Sequence, residues 1–318
     1  MLVAVAASAS AQDSPAEKQR KPEQPLVRLN LMVADEKGRT VGDVKQEELR
    51  LLVDGAEKPI AYFAQESLPV SYGLVIDNSG SLKDQVRYVV AAAKLIVENG
   101  AREDEAFVVR FVSSDNIRVI ENFTSDKAAL NKALDDMSVE GGQTALLDAV
   151  YLSGDYLLKK GRSGGGARRR ALVLITDGED RASYYKFEQV SKLLEGSDVQ
   201  VFCIGLTAAL NKERGFITPS KRESAGALLK RLATETGGRV FFAEKVGELQ
   251  EAIGEVISNL HTQYVVGYAA EPAAGGKAHH KIEVKVVGLP GRGKLKPIVR
   301  PEYDAAVQVE AQEKKKGQ

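Results

Sequence analysis

Between residues 71 and 262, short apolar runs rich in β-branched residues alternate with segments of helical period, and no other feature constrains the fold of this chain as much. The strand-like runs fall at 72–76, 106–112, 119–123, 171–176, 199–205 and 239–243. The intervals at 82–97, 128–137, 145–158, 187–194, 225–234 and 246–260 carry apolar residues at three- and four-residue spacing, as amphipathic helices do. Strands that alternate with helices pair mainly in parallel, because each crossover lays a helix on a face of the sheet. The expected fold class is therefore α/β, a doubly wound, mostly parallel sheet with helices on both faces. Gly100, Gly237 and Gly238 fall where helices should stop.

The flanking segments follow a different period. In residues 26–70 the apolar residues Val27, Leu29, Leu31 and Val33 alternate with others, and Asp54-Gly55 marks a turn. In residues 263–304 Tyr264, Val266 and Tyr268 alternate, as do Ile282, Val284 and Val286, and a last run stops at Pro301. Neither end holds enough strands for a stable sheet, so the two are expected to form one small β module together. Residues 1–11, "MLVAVAASASA", end in Ala9-Ser10-Ala11 and read as a signal peptide cleaved before Gln12. No Lys or Arg precedes that run, so the expected signal would extend upstream of it. Residues 12–25 read as a flexible leader and 305–318 as a disordered tail. The expected location is exported, periplasmic or extracellular, with no integral membrane segment in the mature chain.

Forty-four Lys and Arg balance 44 Asp and Glu, which leaves no global field to attract nucleic acid. The one cysteine, Cys203, lies in an apolar run and reads as a small buried hydrophobe, so neither a disulfide framework nor a Cys-rich zinc site is open to this chain.

Open parallel sheets carry function at the carboxyl ends of their strands. Three segments reach that edge with oxygen-bearing side chains: Asp77, Ser79 and Ser81 in "DNSGS", Thr144 in "GGQTALLDAV", and Asp177 in "ITDGED". Two carboxylates and three hydroxyls are hard donors that suit a divalent cation, magnesium above all, with manganese or calcium as alternatives. Each piece also has a local reading. Ser81 with Asp84 matches a capping box, Thr144 matches a helix N-cap, and Asp177-Gly178 matches a turn.

Together these segments resemble the metal-ion-dependent adhesion site of von Willebrand factor A domains, over roughly residues 71–262. The flanks "VDGAEKPIAYF", "QYVVGYAA" and "VRPEY" resemble, more narrowly, exported bacterial proteins of the VWFA-related domain family, in which a glycine often stands where Glu302 stands here. The resemblance implies that Ser79, Ser81 and Thr144 offer hydroxyls to the metal and that Asp77 and Asp177 supply charge directly or through water. It also implies a protein partner whose acidic side chain completes the coordination, and a binding module with no catalytic residues.

The rival reading is a magnesium-dependent hydrolase or phosphotransfer enzyme on the same site. Only Glu179 and Asp180 lie close enough in sequence to act as its base, since His261 falls near the end of the last helix. Dinucleotide binding lacks its glycine fingerprint. The segment 161–170, "GRSGGGARRR", reads as a mobile loop with a solvated charge run, and the adjacent His279 and His280 should face opposite ways along a strand.

Overall fold

The computed structural model describes residues 26–138, 140–161, 168–195, 197–207, 210, 219–269, 279–287 and 293–304. The expected signal peptide, leader and tail lie outside them. In chain order the elements are β1 (Leu26–Ala34), β2 (Leu49–Val53), β3 (Ala56–Lys58), β4 (Tyr62–Glu66), β5 (Val70–Asp77), α1 (Val86–Glu98), β6 (Glu105–Phe111), β7 (Ile117–Thr124), α2 (Lys127–Asp135) and α3 (Leu146–Lys160). There follow β8 (Arg169–Thr176), α4 (Phe187–Glu195), β9 (Val199–Gly205), α5 (Lys221–Glu235), β10 (Val240–Phe242), α6 (Val246–His261), β11 (Gln263–Ala269), β12 (His279–Val286), β13 (Lys296–Val299) and β14 (Glu302–Asp304).

The central sheet has the order β10-β9-β8-β5-β6-β7, parallel except for β7, which pairs antiparallel with β6 at one edge. β5 and β9 are buried along their whole length, as strands covered on both faces must be. Val89, Ile96, Leu130, Leu134, Ile253 and Val256 bring α1, α2 and α6 onto one face. Val150, Leu157, Val190, Leu194, Leu229 and Leu232 bring α3, α4 and α5 onto the other. The doubly wound fold expected from the alternation is the fold observed. From β5 the chain first winds towards β6 and β7, then returns to the other side of β5 with β8 and moves on to β9 and β10. The winding therefore reverses between β5 and β8, and their carboxyl ends flank the crevice where open α/β sheets bind ligands.

The terminal segments interleave into two antiparallel four-stranded sheets, ordered β13-β1-β11-β4 and β14-β12-β2-β3. The two share one core, with Leu29, Leu31, Tyr264 and Val266 from one sheet against Leu49, Leu51, Ile282 and Val284 from the other. This is the β module the alternating patterns predict. After β13 the chain changes sheets at Pro301, and Glu302, at the position often held by glycine in the resembled family, begins a further strand paired with β12.

Residues 162–167 lie outside the described residues, but the arginines after them are not a solvated charge run. Arg169 is buried, and its guanidinium donates to the carbonyl oxygens of Glu66 (2.6 Å) and Gln263 (3.4 Å), where the chain enters and leaves the central sheet. Arg168 donates to the carbonyl oxygens of Val70 (3.2 Å) and Glu103 (2.6 Å). Buried backbone carbonyls at the ends of strands need donors, and these arginines supply them at the start of β5 and at the paired ends of β4 and β11. Arg300 does the same at the end of α4, donating to the carbonyl oxygens of Leu194 (3.1 Å), Glu195 (2.9 Å) and Val199 (3.1 Å). His279 pairs with Glu195 and His280 with Asp54, on opposite sides of β12 as the strand period requires. Cys203 is fully buried, and burial raises its thiol pKa.

Candidate metal centre

β5 ends at Asp77, which is buried, and both of its carboxylate oxygens are engaged. Oδ1 accepts the Ser79 N–H at 2.9 Å and Oδ2 accepts the Thr176 hydroxyl at 2.6 Å. Ser79 is extended, with a φ of −71° and a ψ of 163°, and a 3-10 turn over Gly80–Gln85 leads into α1. The helix expected from residue 82 therefore begins as this tighter turn, a common helix start. Ser79 rather than Ser81 precedes the turn, without a side-chain capping bond, so the capping box of Ser81 and Asp84 does not form. The Ser79 and Ser81 hydroxyl oxygens lie 2.9 Å apart, with Ser79 buried and Ser81 exposed. Asn78 anchors the loop, its N–H donating to Phe111 O (2.9 Å) and its side-chain amide to Ser138 O (2.6 Å).

β8 delivers Thr176 and then Asp177, also buried. Asp177 Oδ1 accepts the Glu179 N–H at 3.0 Å, whereas Oδ2 is buried with no hydrogen-bond partner among the described residues. Gly178 makes the turn at a φ of +84°, and a Cβ there would lie 2.9 Å from Leu229 Cδ1, so only glycine fits.

The Thr144 segment is held by the Asp177 segment rather than by its own cap. Asp180 Oδ1 accepts the N–H groups of Leu146 (2.9 Å) and Leu147 (3.4 Å) at the start of α3, while Ala145 occupies the N-cap position with no side-chain bond of its own. Thr144 is buried and does not cap the helix; its carbonyl accepts the N–H groups of Arg181 (2.8 Å) and Ala182 (3.1 Å). Ser183 donates its hydroxyl to Asp180 at 2.5 Å, and the Asp148 carboxylate accepts the N–H groups of Tyr184 (3.0 Å) and Tyr185 (2.7 Å). The loop after β8 is thus fastened along the first turn of α3.

The electrostatics follow from this packing. Burial, then the nearby Asp177 charge, pushes the Asp77 pKa up to about 6, against the pull of its bonds to Ser79 and Thr176. Burial likewise raises Asp177, with the Ser81 hydroxyl and the Glu179 amide opposing. Two buried carboxylates within Coulombic reach of each other, one with an unpartnered oxygen, make a site that a cation would relieve. The donors around them are hydroxyls, which suits a hard divalent ion. Among the described residues no three or more His, Cys, Asp or Glu side chains cluster as a metal site, so this mixed set is the candidate.

All five expected residues stand at the same edge. The first and third segments are joined side chain to side chain, and Thr144 joins through its backbone. Thr176, Asp148 and Ser183 were not singled out from the sequence, where nothing distinguishes them from ordinary strand and loop residues. Asp180 was noted only as a candidate base, but its carboxylate is taken up by the α3 amides. Glu179 is paired with Arg181 and, at 3.4 Å, with Lys221. His261 sits at the other end of the sheet, 2.8 Å from Asp104.

Residues 73–255, more than half of the chain, match the family model described as the von Willebrand factor type A domain. An uncharacterized protein of Synechocystis sp. is 28% identical over 153 residues, which are 48% of this chain and 34% of that protein, so the chain spans about a third of the length of the curated relative it matches. Among solved structures, the conserved hypothetical protein BatB from Bacteroides thetaiotaomicron is similar at 17% identity, covering 60% of this chain and 98% of that one, with a TM-score of 0.45. A von Willebrand factor type A protein from Catenulispora acidiphila is similar at 12% identity, over 90% of this chain and 74% of that one, with a TM-score of 0.47. The vWF domain of the type V pili tip protein Mfa5 from Porphyromonas gingivalis is similar at 11% identity, over 61% and 96%, with a TM-score of 0.47.

Proposed function

The chain belongs to the von Willebrand factor type A domain family, a family of interaction modules, and from that premise we propose that it binds a protein partner through a divalent cation. Asp77, Ser79, Ser81, Thr144 and Asp177 would hold the ion, magnesium first and manganese or calcium as alternatives. The observation that carries the reading is Asp177 Oδ2, buried and without a hydrogen-bond partner among the described residues, beside a second buried carboxylate. The ion supplies Lewis acidity and charge. The residues supply a ring of mostly neutral oxygens, which leaves the ion underneutralised and open to a partner's carboxylate at the exposed Ser81 side. Ala9-Ser10-Ala11 supports export of the module. No helix among the described residues is long and apolar enough to cross a membrane.

The test is capture of partner proteins from an exported fraction, with magnesium and with chelator, by wild type and by a Ser79→Ala/Ser81→Ala variant. Capture that needs both the ion and the serines is the expected result. Capture indifferent to chelator would sink the reading.

A further inference from the structure

Beside the candidate cation the 179–185 loop and the start of α5 leave three side chains unsheltered. Glu179 is only 7% exposed, yet it pairs with two cations that face solvent, Arg181 at 47% and Lys221 at 60% side-chain exposure. One buried negative charge against two outward positive ones leaves this trio with one positive charge in excess, while the neighbouring Asp180 carboxylate is turned to the α3 amides. Arg181 is tied to the site by geometry, since its N–H donates to Thr144 O at 2.8 Å.

Three residues after Arg181, Tyr184 is 78% exposed, the most exposed of the large hydrophobic side chains among the described residues. Its backbone is clamped by Asp148, and its ring meets the edge of Tyr185 at 5.5 Å, which in turn stacks on Tyr151 of α3 at 3.8 Å. An exposed ring on a backbone this firmly fastened loses little freedom when something covers it, which is how aromatic anchors in interfaces work.

We propose that this rim is the partner-recognition surface of the module, and that it fits an acidic peptide segment with at least two carboxylates, one for the cation and one for Arg181 and Lys221, running across the Tyr184 ring. The inference rests on the cation-dependent binding proposed above and adds to it the class of segment selected. Charge complementarity at such a rim decides which acidic segment binds and how fast, more than it sets the strength of binding. A partner with a lone carboxylate would satisfy the ion and leave the rim charge unanswered.

The experiment uses glycine-serine peptides, densely immobilised so that weak contacts register by avidity. One carries a single aspartate; the others add a glutamate two, three or four residues later. Binding of the full chain is read in magnesium, in chelator, and at low and high salt. The expected result is magnesium-dependent binding with the best two-acid peptide about fivefold tighter than the single-acid one, as an exposed ion pair allows. High salt should erase that preference. Lys221→Gln, which leaves Glu179 paired with Arg181, should bring the two-acid peptide down towards the single-acid level, and Tyr184→Ser should weaken both. Magnesium-dependent binding without a two-acid preference, or a preference that survives Lys221→Gln, overturns the rim assignment and leaves the cation site standing. Binding that persists in chelator, or none at all, overturns both.

Discussion

Thr176 donates its hydroxyl hydrogen to Asp77 Oδ2 across 2.6 Å and joins the last residue of β8 to the last residue of β5. The same hydroxyl oxygen accepts the Gly178 N–H at 3.0 Å, so one side chain orients the first carboxylate of the site and shapes the turn that carries the second. Thr176→Val keeps the shape of the side chain and removes both bonds, leaving a buried carboxylate oxygen short of a donor. The expected cost is about 1–3 kcal/mol, read as a lower urea midpoint at unchanged slope, and Thr176→Ser should recover most of it. A Thr176→Val protein as stable as wild type would mean that water replaces the hydroxyl.

Cation binding should be visible as stability. An ion that binds only the folded chain stabilises it by about 2.7 kcal/mol at a hundredfold excess over its Kd, so magnesium or manganese should raise the Tm of the wild type. Asp177→Ala removes one of two crowded buried charges. Most of the metal response should disappear, while the cation-free variant melts no lower than wild type and titrates Asp77 at a lower pKa, because the Asp177 charge is one cause of its elevation. Equal metal-induced shifts in the two proteins would show Asp177 to be a turn residue only.

Asp180 should matter to the start of α3 despite lying 34 residues from Leu146 in sequence. Asp180→Ala strips the acceptor from the Leu146 and Leu147 amides, and loss of a cap costs about 1–2 kcal/mol. Asp180→Asn retains an oxygen there and should cost less. If Thr144 takes over as the cap, the alanine variant will melt like wild type.

The His261–Asp104 pair, at the edge of the sheet away from the cation site, sets a pH dependence. The Asp104 carboxylate raises the His261 pKa through its hydrogen bond, against the opposing effect of burial. Burial would raise Asp104, but its bonds to His261 and to the Val70 and Ala101 amides prevail and hold it low. A histidine raised on folding lends stability that is complete below its unfolded pKa and lost as pH rises through the folded value; a lowered aspartate lends stability lost as pH falls through its folded value. The pair should therefore support the fold best between those limits, weakening as pH rises through the elevated His261 pKa and that histidine loses its proton. An NMR titration of the His261 ring should show its pKa falling in Asp104→Asn, and an unchanged value would remove the pair from the account.

What the sequence alone determined was the class of structure at each position. Period two or period three to four distinguishes strand from helix because side chains on those backbones must share a face, and the pattern placed the strands and helices of the central sheet to within a few residues. It also placed "DNSGS", "GGQT" and "ITDGED" at strand ends and a helix start, because ligand-bearing loops lie where regular elements stop. The tertiary structure decided which of these ends meet. That β5 and β8 are neighbours follows from the winding order, and only then do Asp77, Thr176 and Asp177 face one another. It also decided that Asp180 caps a helix from a distant loop, and that Arg168 and Arg169 leave solvent to satisfy carbonyls where the two modules join. Hydrogen bonds between residues far apart in the chain leave no periodic trace in sequence, because their partners are chosen by packing.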